Sequence, residues 1–200
     1  HVCALRLVPD AGDEGPTPVK TLTLLRHAKS TWDDPVERDF DRPLNGRGRR
    51  AAARIGQWLR DEGLRDEGPT FDHVRASPAV RVRQTIEGVE DGLRRRLDPM
   101  FDTRIYLASA VTLLDIVQGF EASATSALLI GHNPGLEDLL LLVTPDADPL
   151  RGEAEIKYPT ATLAVLDLDI ATWRDAGAGC AHLRHFIRPR DLDASLGPDD

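Results

Sequence analysis

Cysteine is scarce: Cys3 and Cys180 are the only two in 200 residues. They show no metal-ligand spacing and are too few for a disulfide framework. That excludes a stapled secreted scaffold and fits a reducing, cytoplasmic setting. Long apolar runs are missing too, and none approaches the roughly 20 residues needed to cross a bilayer. The opening stretch, HVCALRLVPD, has neither a charged n-region nor a long apolar core, so it does not read as a secretory signal. Positive charge is in deficit, with 25 Lys and Arg against 33 Asp and Glu and a net charge of -8. Broad nucleic-acid or anionic-membrane binding needs the opposite balance, so neither partner is expected. An anionic substrate is not excluded, because one pocket can be locally positive on an acidic protein. Internal repeats and long low-complexity tracts are absent.

What remains is an ordinary globular mix, 41% hydrophobic and 29% charged. It is long enough to bury a core without staples. The stretch DAGDEGPTPV (10–19) is rich in Gly, Pro and acid, so residues 1–20 read as a flexible leader. ASLGPDD (194–200) reads as equally loose. The expected organisation is a single domain over 21–192 with a tail at 193–200, and a monomer.

Within 21–192, short apolar runs alternate with segments of helical period. TLTLLRH (21–27), FDHVRAS (71–77), ALLIGH (127–132), TLAVLDL (162–168) and CAHLRHFI (180–187) read as strands. Helices are expected over 45–62, stopping at Gly63, over 78–97, over 111–120 and from Pro134 onward. Alternation of this kind predicts an α/β fold, a three-layer α/β/α sandwich on a mostly parallel sheet. Ligands of such sheets bind beyond the carboxyl ends of the strands.

The ends of three strands share an unusual character. The first ends in Arg26 and His27. The second ends in Ser77 and Pro78, with Arg81 in the first turn of the following helix. The third ends in Gly131, His132 and Asn133. An Arg-His dipeptide alone is compatible with a surface ion pair and a satisfied buried histidine. Three strand ends together are harder to explain that way. Two guanidinium forks suit phosphate oxygens. The helix near Pro134 adds backbone N–H groups and a positive dipole end. A neutral imidazole in such a site can attack phosphorus and form a phosphohistidine. The nearby arginines oppose its protonation. A second histidine can donate to a non-bridging oxygen as charge builds.

These segments resemble the histidine phosphatase superfamily, the phosphoglycerate-mutase-like fold. RHAKS matches its RHG-type signature, with Ala28 in place of glycine. SPAVRVRQT matches the segment that supplies a second arginine, and GHNPG the one that supplies a second histidine. RHAKSTW, DFDRPLNGRGRRAAA, GHNPGLEDLL, YPTATLAVLDL and RPRDL are most similar to the SixA-like phosphohistidine phosphatases. The resemblance spans about Thr21 to Leu192. It implies His27 as nucleophile, Arg26, Arg81 and His132 as the rest of the phosphate pocket, and Lys29, Ser30 and Asn133 as substrate contacts. It implies no metal and no cofactor.

Two departures from the mutase branch carry chemical content. Asp33 stands where that branch has an asparagine, and Thr103 stands where it has the glutamate that protonates the leaving oxygen. Asp33, Asp34 and Asp102 are the remaining acid candidates, none of them obvious. An alkoxide leaves poorly without a proton, an effect typically worth about 10²–10⁴-fold. A phosphohistidine ring protonated near neutral pH departs as neutral imidazole and needs no dedicated acid. Only about thirty residues separate the Arg81 motif from the helix near Val111, which leaves an open cleft suited to a phosphorylated side chain. The leading expectation is protein phosphohistidine dephosphorylation. The second is a broad or sugar-phosphate phosphatase of the same superfamily, and the third a non-catalytic phosphate-binding module. The Cys180, His182 and His185 group does not converge as a metal site, because strand alternation splits it across two faces.

Overall fold

The structure, a computed structural model, describes residues 19–33, 35–62 and 71–197. The leader up to residue 18, Asp34, the helix stop expected at Gly63 and the last three residues lie outside the described residues. Six strands form one sheet: β1 (Val19–Arg26), β2 (His73–Ala76), β3 (Met100–Phe101), β4 (Ser126–Gly131), β5 (Leu163–Asp169) and β6 (Ala181–Ile187). Their spatial order is β3-β2-β4-β1-β5-β6. Strands β1 to β4 pair in parallel, and β5 alone runs against both of its neighbours.

Two hydrophobic layers flank the sheet. On one face lie α1 (Gly46–Asp61) and α2 (Val80–Leu93), which present Ala52, Ile55, Leu59, Val82, Ile86 and Val89. On the other lie α3 (Ala110–Gln118) and α4 (Gly135–Val143), with Leu113, Ile116, Leu136 and Leu139. Alternation along β4 feeds both faces, Ala127 and Leu129 to one and Leu128 and Ile130 to the other. The α/β/α sandwich expected from the strand-helix alternation is therefore the observed architecture. Asn45 starts α1, its side chain accepting from the Gly48 amide at 2.8 Å. No described helix is long and apolar enough to cross a membrane.

Several boundaries differ from the sequence pattern. Strand β1 starts at Val19, because Lys20 is buried and its ammonium donates to the carbonyls of Ala122 and Ala124. Helix α2 stops at Leu93, where Arg94 takes a left-handed conformation (φ 60°). The edge strand β3 and the short helices α5 (Arg151–Ile156) and α6 (Pro189–Leu192) carried too few residues for a periodic signal. Part of the expected tail is ordered: Ala194–Leu196 form a 3-10 turn and Leu196 is buried. In β6, a bulge shifts the register opposite Val165 and Leu166 and turns His185 onto the Trp58 ring, 5.3 Å away.

Helices α1 and α2 are in backbone contact. A methyl group at Gly56 would sit 2.1 Å from the Val89 carbonyl oxygen, and one at Gly92 would sit 2.0 Å from that of Ala53. Gly56→Ala therefore forces the pair apart and should cost at least the ~1–3 kcal/mol typical of overpacking. A urea titration of the variant should show a lower midpoint with an unchanged slope.

Candidate active site

Register brings the three strand ends together. Arg26 of β1 lies opposite Gly131 of β4, so His27 and His132 emerge side by side, their ring centroids 5.3 Å apart. Ala76 of β2 lies opposite Ile130. Ser77 therefore reaches His132, with its Oγ 2.8 Å from Nε2. Arg81, in the first turn of α2, is only 2% exposed and fills the space between the rings. Its Nε donates towards His27 Nε2 at 3.4 Å, and its Nη2 faces His132 Nδ1 at 3.4 Å.

These partners set the tautomers. The Ala28 carbonyl, 2.8 Å from His27 Nδ1, can only accept, so Nδ1 carries the proton and Nε2 keeps its lone pair. Arg81 can only donate, so His132 Nδ1 accepts and its Nε2–H donates to Ser77. For His132 to donate into the pocket, its proton must shift from Nε2 to Nδ1, with the Ser77 hydroxyl turning to donate to the vacated Nε2.

The cleft has a volume of about 460 Å³. Arg26, His27, Lys29, Ser30, Arg81, His132 and Asn133 all line it. The structure thus brings together every residue singled out in the sequence as catalytic or substrate-binding. Arg26 and Asn133 both donate to the Tyr158 carbonyl, at 2.8 and 3.1 Å. Asn133 also donates to Glu137, while its Oδ1 is buried without a partner among the described residues. Ser30 is buried and bridges to Leu44.

A sequence profile of the histidine phosphatase superfamily (branch 1) matches residues 22–104. A solved structure titled as a candidate phosphohistidine phosphatase SixA, from Nakamurella multipartitia, is 31% identical. It aligns over 88% of this chain and 99% of its own, with a TM-score of 0.68. Its counterpart from Agrobacterium tumefaciens, titled likewise, is also 31% identical, over 85% of this chain and 98% of its own, with a TM-score of 0.69. An uncharacterised Mycobacterium tuberculosis protein is 33% identical over 83% of this chain and all of its own length. The chain belongs to the histidine phosphatase superfamily. Within it, the SixA-like proteins are the branch it resembles in sequence and in structure.

The structure also shows residues of this histidine phosphatase that the sequence reading did not assign. Asp39, from a 3-10 turn at Asp39–Asp41, accepts from Arg81 Nη2 (3.0 Å), Tyr106 Oη (2.7 Å) and Arg42 Nη2 (2.8 Å). Its carbonyl accepts from Arg81 Nη1 at 2.8 Å. Both Asp39 and Arg42 lie within the DFDRPLN segment, whose acid-then-arginine spacing was the available signal. Ser77 sat in the SPAVRVRQT segment. Tyr106 had no sequence signal; its ring stands edge-on to His132, 5.3 Å away. Of the acid candidates, Asp102 pairs with Arg75 and Arg104 outside the cleft lining. Asp33 does not line the cleft either, and Asp34 lies outside the described residues. Asp39 is the one carboxylate that lines the cleft among the described residues.

Burial dominates the electrostatics. It holds His27 well below the ordinary histidine range; the neighbouring His132 and the charges of Arg81 and Arg26 add to it, against the Ala28 hydrogen bond. Burial, then Arg81, brings His132 down to about 3. Burial opposes ionisation of Asp39, but the Tyr106 hydroxyl, Arg81 and Arg42 outweigh it and bring the carboxyl to about 2. Both imidazoles are thus neutral and the carboxylate charged at neutral pH.

The linkage has a definite sign. Below the unfolded histidine value of 6.5 the unfolded chain binds protons that His27 and His132 refuse. Stability should fall as pH drops from 6.5 towards about 3, by up to ~1.4 kcal/mol per pH unit for each ring. His132→Asn should flatten part of that slope, measured by urea unfolding at pH 7, 6 and 5.

Proposed function

We propose that the protein is a phosphohistidine phosphatase that works through a covalent phosphohistidine on His27. The observation that carries this reading is the His27 ring itself: Nδ1 is fixed by the Ala28 carbonyl, and the Nε2 lone pair faces Arg81 beside a second imidazole. Arg81 Nε–H caps that lone pair, so an incoming phosphoryl group that draws the guanidinium to its oxygens also uncaps the nucleophile. Phosphohistidine is also the substrate for which the SixA relatives are named.

The steps balance. His27 Nε2 forms a bond to phosphorus, and the bond from phosphorus to the substrate ring nitrogen breaks. The electron pair goes to that nitrogen, and a ring already protonated leaves as neutral imidazole. Water then attacks phosphorus, the bond to His27 breaks and inorganic phosphate departs. Arg26 and Arg81 balance the charge on the equatorial oxygens, with His132 on one of them after the Ser77 hydroxyl turns. Asp39, held near pKa 2, has no proton to give an alkoxide at neutral pH. That favours a nitrogen leaving group over a sugar hydroxyl. We extend the proposal to a cytoplasmic, monomeric enzyme that needs no metal.

A peptide bearing phosphohistidine should be turned over faster than phosphosugars, with EDTA having no effect. His27→Ala should lower turnover by about 10⁴-fold or more. Quenching without acid should trap the phosphorylated wild-type enzyme and nothing in the variant. Full activity of His27→Ala would remove the covalent step.

A further inference from the structure

Trp32 is 76% exposed, an uncommon position for an indole. Yet it is held. The Thr31 amide donates to the Pro43 carbonyl at 2.9 Å, and Ser30 bridges to Leu44, closing the base of its loop. The Arg42 guanidinium lies 3.6 Å from the centre of the indole ring. Arg42 is only 12% exposed at its side chain and is tied to the cleft carboxylate through Asp39 Oδ1 at 2.8 Å. A chain of contacts thus runs from Arg81 through Asp39 and Arg42 to the indole. Trp32 lines the same cleft as His27.

In-line attack fixes where the leaving group sits. His27 is 8% exposed and lies deep in the cleft, whereas Trp32 stands at its open rim. A phosphoryl group seated against His27 points its fourth substituent away from Nε2, towards that rim. An aromatic surface there suits a flat ring, and better still a cationic one, because an indole face attracts positive charge. A protonated phosphohistidine ring is both.

We infer that Trp32 is a specificity-determining residue, a stacking platform for a planar leaving group, with the substrate imidazole as the ring it takes. This assignment rests on the phosphatase reading above and adds the leaving-group contact to it. The test compares wild type, Trp32→Ala and Trp32→Phe on three probes: a phosphohistidine peptide, p-nitrophenyl phosphate and inorganic phosphate as a competitive inhibitor. For Trp32→Ala, kcat/KM on both ring substrates should fall about tenfold through KM, equivalent to about 1.4 kcal/mol of lost stacking. Trp32→Phe should keep most of the wild-type value. The inhibition constant of inorganic phosphate, which has no ring, should stay within about twofold. Unchanged KM in Trp32→Ala, or a phosphate constant that rises in step with KM, overturns the platform. A wild-type enzyme that ignores phosphohistidine yet shows a Trp32-dependent KM for the aryl phosphate keeps the platform and refutes the substrate. Phosphohistidine turnover indifferent to Trp32 does the reverse.

Discussion

A guanidinium almost wholly withdrawn from water governs this cleft. Arg81 is 2% exposed, and a buried charge is tolerated only where hydrogen bonds and a counter-charge surround it. Asp39 supplies the counter-charge through its carboxylate and a further acceptor through its carbonyl. Two imidazoles then meet a fixed positive centre in a poorly hydrated space, and both are driven to the neutral form. Neutral rings are what nucleophilic attack on phosphorus requires. The electrostatic state of the site thus follows first from the burial of the two rings and then from the deeply placed arginine beside them.

The acidic balance of the whole chain and the positive cleft are compatible for the same reason. Arg26, Lys29, Arg42, Arg81 and Lys157 line the cleft, against the single carboxylate of Asp39 among the described residues. Three donors already bind that carboxylate, so its charge is spent on positioning Arg81 and Arg42. A dianion entering the cleft competes with Asp39 for Arg81 and meets the further positive charges of Arg26 and Lys29, which line the same cleft. The site discriminates by local arrangement, which net charge does not describe.

The parts legible in the sequence were those carried by periodicity or by dense local motifs. The apolar alternation of β1, β2 and β4 marked their carboxyl ends, and with them Arg26, His27, Ser77, Arg81 and His132. The pairing of Arg26 with Gly131 was not legible, because register is a property of two strands far apart in sequence. Asp39 was missed for a related reason. Its turn has no apolar period, and its role depends on Arg81, which is 42 residues away. Tyr106 sits after another 3-10 turn and meets Asp39 across 67 residues. The antiparallel β5 and the bulge in β6 likewise follow from packing at the sheet edge and leave no mark in local composition.

The helical layer holds the His27 loop as tightly as the sheet does. Thr85 of α2 accepts from the Ala28 amide at 2.9 Å and donates to the Arg81 carbonyl at 2.6 Å, so one hydroxyl joins the His27 loop to the turn that carries Arg81. At the start of α1, a methyl group on Gly48 would lie 2.1 Å from the Lys29 carbonyl oxygen. The α1–α2 pair, itself pressed together at Gly56 and Gly92, therefore reaches the His27 loop from both helices. Any change that spreads the two helices must also move Thr85 or Lys29, and the neighbouring His27 with them. In this protein the packing of that face and the geometry of the His27 ring are a single constraint, which explains why residues as bland as glycine and threonine stand where the site is built.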